Sequence, residues 1–137
     1  MGIDVLCQAK AGMGKTAVFV LTTLNRMEQI AEKDKISCLV LANTRELAFQ
    51  ISKEFERFST NLGYKTLTII GGENITEQIE KVKNDKPHIV VGTPGRVLGL
   101  IKKNVLDTSS VKIFVIDECD KMLQQLGILE KSIFCLL

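Results

Sequence analysis

The chain has 137 residues, 45% apolar and 25% charged, which is enough for one hydrophobic core and no more than one domain. Its 18 Lys and Arg face 16 Asp and Glu, a formal charge of +2, so bulk attraction to nucleic acid is excluded and any such binding must come from placed side chains. Four scattered cysteines without a C-x-x-C pair, a lone His88 and no apolar run near the roughly 18 residues of a membrane span exclude a zinc site, a disulfide scaffold and a membrane partner.

Short apolar runs alternate with helical patterns along the chain. Ile3 to Cys7 reads as a strand that runs into a glycine turn. Ala17, Leu21, Leu24, Met27 and Ala31 then mark one face of a helix. Residues 37–42, SCLVLA, form a strand that is apolar throughout, as a strand covered on both faces should be. Asn43, with Glu46 three residues on, reads as a helix cap, and Leu47, Ile51, Phe55 and Phe58 continue that helix. Residues 65–70, KTLTII, form a strand that ends at Gly71-Gly72. Asn74 with Glu77 caps the next helix, whose buried face is Ile75, Ile79 and Val82. HIVVG (88–92) is a strand, followed by Thr93 as N-cap and Pro94 at the first helical position. VKIFVI (111–116) is the next strand, with a last helix after it. Repeated βα alternation predicts an α/β fold with a parallel sheet and helices on both faces.

The segment CQAKAGMGKTAV (7–18) allows three readings. It can be a plain tight turn between strand and helix. It can be a dinucleotide fingerprint, because Gly12, Gly14 and Ala17 satisfy G-x-G-x-x-G/A. It can be a phosphate loop, G-x-x-x-x-G-K-[ST], matched at Gly14, Lys15 and Thr16 with Ala9 in place of the first glycine. A dinucleotide turn has no use for a Lys-Thr pair, whereas a triphosphate site does. Backbone N–H groups around Ala11 to Gly14 would face phosphate oxygens, Lys15 would reach the β and γ phosphates, and Thr16 would offer its hydroxyl to Mg²⁺. The segment IFVIDECD then places Asp117 and Glu118 at the C-terminal end of an apolar strand, where ligands of open α/β sheets bind. Adjacent carboxylates there suit a cation and an attacking water: Asp117 for Mg²⁺, Glu118 to orient or deprotonate the water. The two constellations together favour the phosphate loop of an ATP-using protein.

AKAGMGKT, ANTRELA, GG, TPGR and DECD occur in an order and spacing that resemble the first RecA-like domain of the DEAD-box RNA helicases, over nearly the whole chain. Cys119, where alanine is usual, points to the DECD-box branch, the helicases of spliceosome assembly and mRNA export. The resemblance implies a P-loop NTPase fold that uses ATP and Mg²⁺ to remodel RNA, with a nuclear location or a nuclear and cytoplasmic one. It implies spliceosome or mRNA-export proteins as partners. Ala9, Lys10, Ala11, Gly12, Met13, Gly14, Lys15 and Thr16 would form the phosphate loop, and Asp120 would join the nucleotide site to neighbouring motifs. RNA would be held through its backbone, without sequence preference, by Thr44, Arg45, Glu46, Gly71, Gly72, Thr93, Pro94, Gly95 and Arg96.

The sequence also departs from the family pattern. Asn43 stands where proline commonly precedes T-R-E-L. The adenine-recognising Q motif, the Ser-Ala-Thr motif and the second RecA-like domain are not found. The chain is therefore expected to be a truncated N-terminal domain over residues 1–137, binding ATP·Mg²⁺ weakly and turning it over slowly or not at all. SIFCLL (132–137) is apolar enough to fill the strand slot left by the Ser-Ala-Thr segment. The alternative reading is a non-catalytic fragment that binds RNA or a protein partner.

Overall fold

Strands form where the sequence carries its short aliphatic and β-branched runs. The computed structural model describes residues 14–118. Within them the order is α1 (Lys15–Ile30), β1 (Cys38–Leu41), α2 (Arg45–Ser59), β2 (Thr66–Ile69), α3 (Ile75–Asp85), β3 (Ile89–Gly92), α4 (Pro94–Lys102) and β4 (Ile113–Ile116). Each strand sits inside its sequence-predicted run and is shorter by one or two residues at one or both ends. The flanking residues still bond to neighbouring strands: Ala42 N–H donates to Gly92 O, Thr93 N–H to Ile69 O and Asp117 N–H to Leu41 O. The predicted strand 3–7, the helix from Lys121 and the segment 132–137 lie outside the described residues.

The four strands pair in the order β2-β3-β1-β4, all parallel. β1 and β3 are central and buried along their whole length, whereas β2 alternates half-buried and buried positions. The register puts Cys38 beside Ile89 and Ile113, and Leu39 beside Val90 and Phe114, so odd and even rows face opposite sides. Leu39, Leu41, Leu67, Ile69 and Val90 pack under α3 and α4 with Val82, Val97, Leu100 and Ile101. Cys38, Val40, Ile89 and Val91 pack under α1 and α2 with Val20, Leu24, Met27, Ile51 and Phe55. Helices therefore cover both faces, which is why the central strands read as continuous apolar runs. Burial pushes the Cys38 thiol pKa up, so this cysteine is an inert filler of the second core.

Two local expectations need correction. On α1 the buried stripe is Val20, Thr23, Leu24 and Met27, while Leu21 is 49% exposed. The run AVFVL is apolar on several sides, so spacing from Leu24 alone does not choose the face. The cap of α2 is Thr44, not Asn43: the Thr44 hydroxyl accepts from Leu47 N–H at 3.1 Å. Asn43 Oδ1 is buried and accepts no hydrogen bond from the described residues. Asn74 caps α3 as expected, accepting from Thr76 N–H at 2.9 Å.

Candidate functional site

Because all four strands run parallel, the segments that follow them leave the same edge of the sheet. Residues 43–46 follow β1, residues 71–72 follow β2, residues 93–96 follow β3 and residues 117–118 follow β4. Motifs far apart in the sequence thereby share one rim, the edge where open α/β sheets bind ligands.

An open cleft of about 670 Å³ lies in this rim, lined by Asn43, Thr44, Arg45, Glu46, Gly71, Thr93, Gly95 and Arg96. Seven of the nine residues expected to touch RNA are thus brought to one concave surface. Gly72 and Pro94 do not line it. Gly72 adopts φ 87°, and a β-carbon there would collide with the Arg45 guanidinium, so this glycine lets Arg45 lie across the turn. Pro94 is buried at the first position of α4, where it lacks only an N–H that the helix would not use. Thr93 holds the N-cap position, yet its hydroxyl does not cap its own helix. It accepts instead from Gly71 N–H at 3.1 Å and ties the turn after β2 to the start of α4.

Behind the cleft is a polar network that sequence reasoning missed. Gln78, on α3, is 2% exposed. Its Nε2 donates to Ile70 O at 3.0 Å and to Glu73 Oε2 at 2.8 Å, and its Oε1 accepts from Arg96 at 2.9 Å. Arg96 also donates to Glu73 O at 3.0 Å. The signal was present in the spacing: position 78 lies three residues after Ile75 and four before Val82, on the buried stripe of α3. A glutamine there reads as surface only if residue type outweighs position.

The nucleotide-motif residues divide between two elements. Gly14 is the N-cap of α1, in the left-handed region at φ 72°, and Lys15 and Thr16 open the helix half-buried. A helix N-terminus presents unpaired N–H groups and a positive dipole end, which suits phosphate. Asp117 and Glu118 follow β4, and Asp117 Oδ1 accepts from Glu118 N–H at 2.9 Å. Glu118 has φ 51°, a conformation that costs a residue with a β-carbon roughly 1–2 kcal/mol. Ala9, Lys10, Ala11, Gly12, Met13 and Asp120 lie outside the described residues. Among the described residues no group of three His, Cys, Asp or Glu side chains is clustered to hold a metal. Thr16 and Asp117 offer oxygen donors of the kind Mg²⁺ takes, an ion that keeps several waters and needs only one or two protein oxygens.

The DEAD/DEAH box helicase family model matches residues 1–134. The chain belongs to the DEAD/DEAH box helicase family. It is 54% identical over 127 residues to the human ATP-dependent RNA helicase DDX39A, covering 92% of this chain and 29% of the relative. It is likewise 54% identical over 127 residues to the ATP-dependent RNA helicase WM6 of Drosophila melanogaster, covering 92% and 30%. This family member thus spans less than a third of either relative's length. Its fold superposes on a crystal structure of a DEAD box protein from Methanococcus jannaschii with TM-score 0.81 at 40% identity, covering 92% of this chain and 34% of that one. A hypothetical ATP-dependent RNA helicase from Sulfolobus tokodaii gives 0.76 at 34% identity, covering 93% and 35%. The α/β fold with its parallel sheet and two helix layers is therefore the RecA-like fold of DEAD-box helicases.

Proposed function

We propose that this chain carries the ATP- and RNA-binding face of an ATP-dependent RNA helicase, and that residues 1–137 are part of its first RecA-like domain. The observation that supports it most is convergence. Three loops, which the sequence motifs single out separately, meet in one cleft on the sheet edge that also bears Asp117 and Glu118.

In this reading RNA lies in the cleft with its phosphates toward Arg45 and Arg96 and toward the N-termini of α2 and α4. Contacts through arginine side chains and helix N-termini are to the RNA backbone, so binding is tolerant of sequence. Lys15 meets the β and γ phosphates of the substrate ATP, and the N–H groups at the start of α1 bind their oxygens. Thr16 and Asp117 hold Mg²⁺, Asp117 through water, and the ion when bound neutralises charge on the transferring phosphoryl group. Glu118 orients and deprotonates the water that attacks the γ-phosphorus. The DECD spelling of residues 117–120 supports partners from spliceosome assembly or mRNA export and a nuclear location.

Thermal unfolding with and without ATP·Mg²⁺ tests the nucleotide half. A ligand that binds only the native state at a hundredfold excess over its Kd adds about 2.7 kcal/mol of stability, and Lys15→Ala should lose that gain, read against its own ligand-free unfolding temperature. Equal stabilisation of Lys15→Ala would overturn the role given to Lys15. A non-catalytic RNA-binding role is favoured if RNA binds and ATP·Mg²⁺ stabilises neither protein.

A further inference from the structure

The rim of the cleft is made of turns, and turns need fixing if they are to hold charge in register with a polynucleotide. Arg96 does not stand free at this rim. Two of its five N–H donors are committed inward, to Gln78 Oε1 and Glu73 O, and among the described residues the other three make no further hydrogen bond and can meet a ligand. Gln78 in turn grips both ends of the turn after β2, at the carbonyl of Ile70 and the carboxylate of Glu73.

The chemistry of this arrangement calls for a carboxamide. On one side of Gln78 are two acceptors, and on the other side is a donor. Only an amide places N–H₂ toward the first and oxygen toward the second, and these partners also fix which way the amide is turned. A carboxylate would face the Ile70 carbonyl and the Glu73 carboxylate with acceptor against acceptor. A cation would face Arg96 with donor against donor. Burial to 2% exposure strengthens each bond and penalises any unmade one.

We propose that Gln78 is the positioning residue of the RNA cleft: it sets the Arg96 guanidinium and the Gly71–Gly72 turn in one geometry without touching RNA itself. This rests on the RNA-binding reading above. Thr93 completes the arrangement from the other side, accepting from Gly71 N–H and so linking the loops after β2 and β3. Arg45, which lies against Gly72, joins the loop after β1 to the same arrangement.

The test uses the 137-residue chain and a dye-labelled oligouridine, with Kd measured by fluorescence anisotropy across a salt series. The proteins are the unsubstituted chain, Gln78→Met, Arg96→Ala and the double variant, each checked for cooperative thermal unfolding. Gln78→Met keeps the side-chain volume and removes every hydrogen bond. It is expected to raise Kd about tenfold, the scale of one lost bond to a charged group. It is also expected to lower the slope of log K against log salt by about one, as loss of one phosphate contact does. The double variant is expected to lose less than the sum of the two single losses, because Gln78 acts in part through that arginine. A Gln78→Met that unfolds cooperatively and keeps the unsubstituted salt slope would overturn the proposal, as would strictly additive losses. Should Gln78→Met fail to fold, Gln78→Asn replaces it. Its amide is one methylene too short to span both sides, and the same loss of slope supports the proposal while an unchanged slope overturns it. If the unsubstituted chain shows no salt-dependent RNA binding, or Arg96→Ala binds as well as it does, the cleft reading itself fails and takes this inference with it.

Discussion

At position 72 the backbone favours glycine, and the flexible end of Arg45 lies against it. The φ of 87° is unfavourable for any residue with a β-carbon, and that carbon would run into the Arg45 guanidinium. Gly72→Ala should cost roughly 1–2 kcal/mol in thermal unfolding and displace Arg45, weakening RNA binding. Gly71→Ala, with open space around it, should do neither. Side-by-side unfolding and RNA titration of the two variants would check the contrast, and equal behaviour would remove the role given to Gly72. Asn43 and Thr44 make a second adjacent pair. Thr44→Ala removes a cap bond and should lower stability by about 1 kcal/mol, whereas Asn43→Ala removes a buried acceptor that has no partner among the described residues and should cost less or even stabilise. The Thr-Arg-Glu and Thr-Pro-Gly-Arg residues could be picked out from the sequence through their resemblance to helicase motifs, since each alone also reads as an ordinary helix start or cap. Gln78 could not be picked out in the same way: its importance comes from three partners that lie near it in space and not in any pattern of letters.

At the scale of elements, α2 shows how packing outweighs local preference. Phe55 is fully buried against the second core and meets Phe19 of α1 at 6.4 Å between ring centroids. Phe55→Ala should therefore destabilise by about 3–5 kcal/mol, measurable as a shift of the denaturant midpoint. The strands were legible because each is a short aliphatic run bounded by polar or glycine residues. Strand ends were not, since the last residue of a ladder depends on which neighbour reaches it. The face of α1 was misjudged at Leu21 for a related reason: five apolar residues in succession leave the choice of side to the tertiary contacts of Val20 and Met27. Parallel pairing followed from βα alternation, but the order β2-β3-β1-β4 did not, because nothing in one strand's sequence names its neighbour.

For the whole molecule, the edge of the sheet opposite the cleft carries a pH response. His88 Nδ1 accepts from Lys65 N–H, and its ring meets Tyr64 edge-on. Burial lowers the His88 pKa below its usual value of 6.5, with Asp34 opposing and Lys65 reinforcing the shift. The unfolded chain therefore takes up a proton first as pH falls, so this histidine's contribution to stability is intact above pH 6.5 and declines from there down through its folded pKa. Unfolding of the protein and of His88→Asn, compared between pH 7.5 and about pH 5, should show a steeper loss for the unsubstituted chain; parallel curves would contradict it. The order of strands also sets how the chain can fold as it is made. Strand β1 pairs only with β3 and β4 among the described residues, and Ile89 lies 51 residues after its partner Cys38. At roughly 5–20 residues per second, this fully buried strand leaves the ribosome about 3–10 s before any neighbour among the described strands can bond to it. In that interval its open edges are a target for chaperones and for other nascent copies, so a slow codon between β1 and β3 should reduce soluble yield more than one placed after β4.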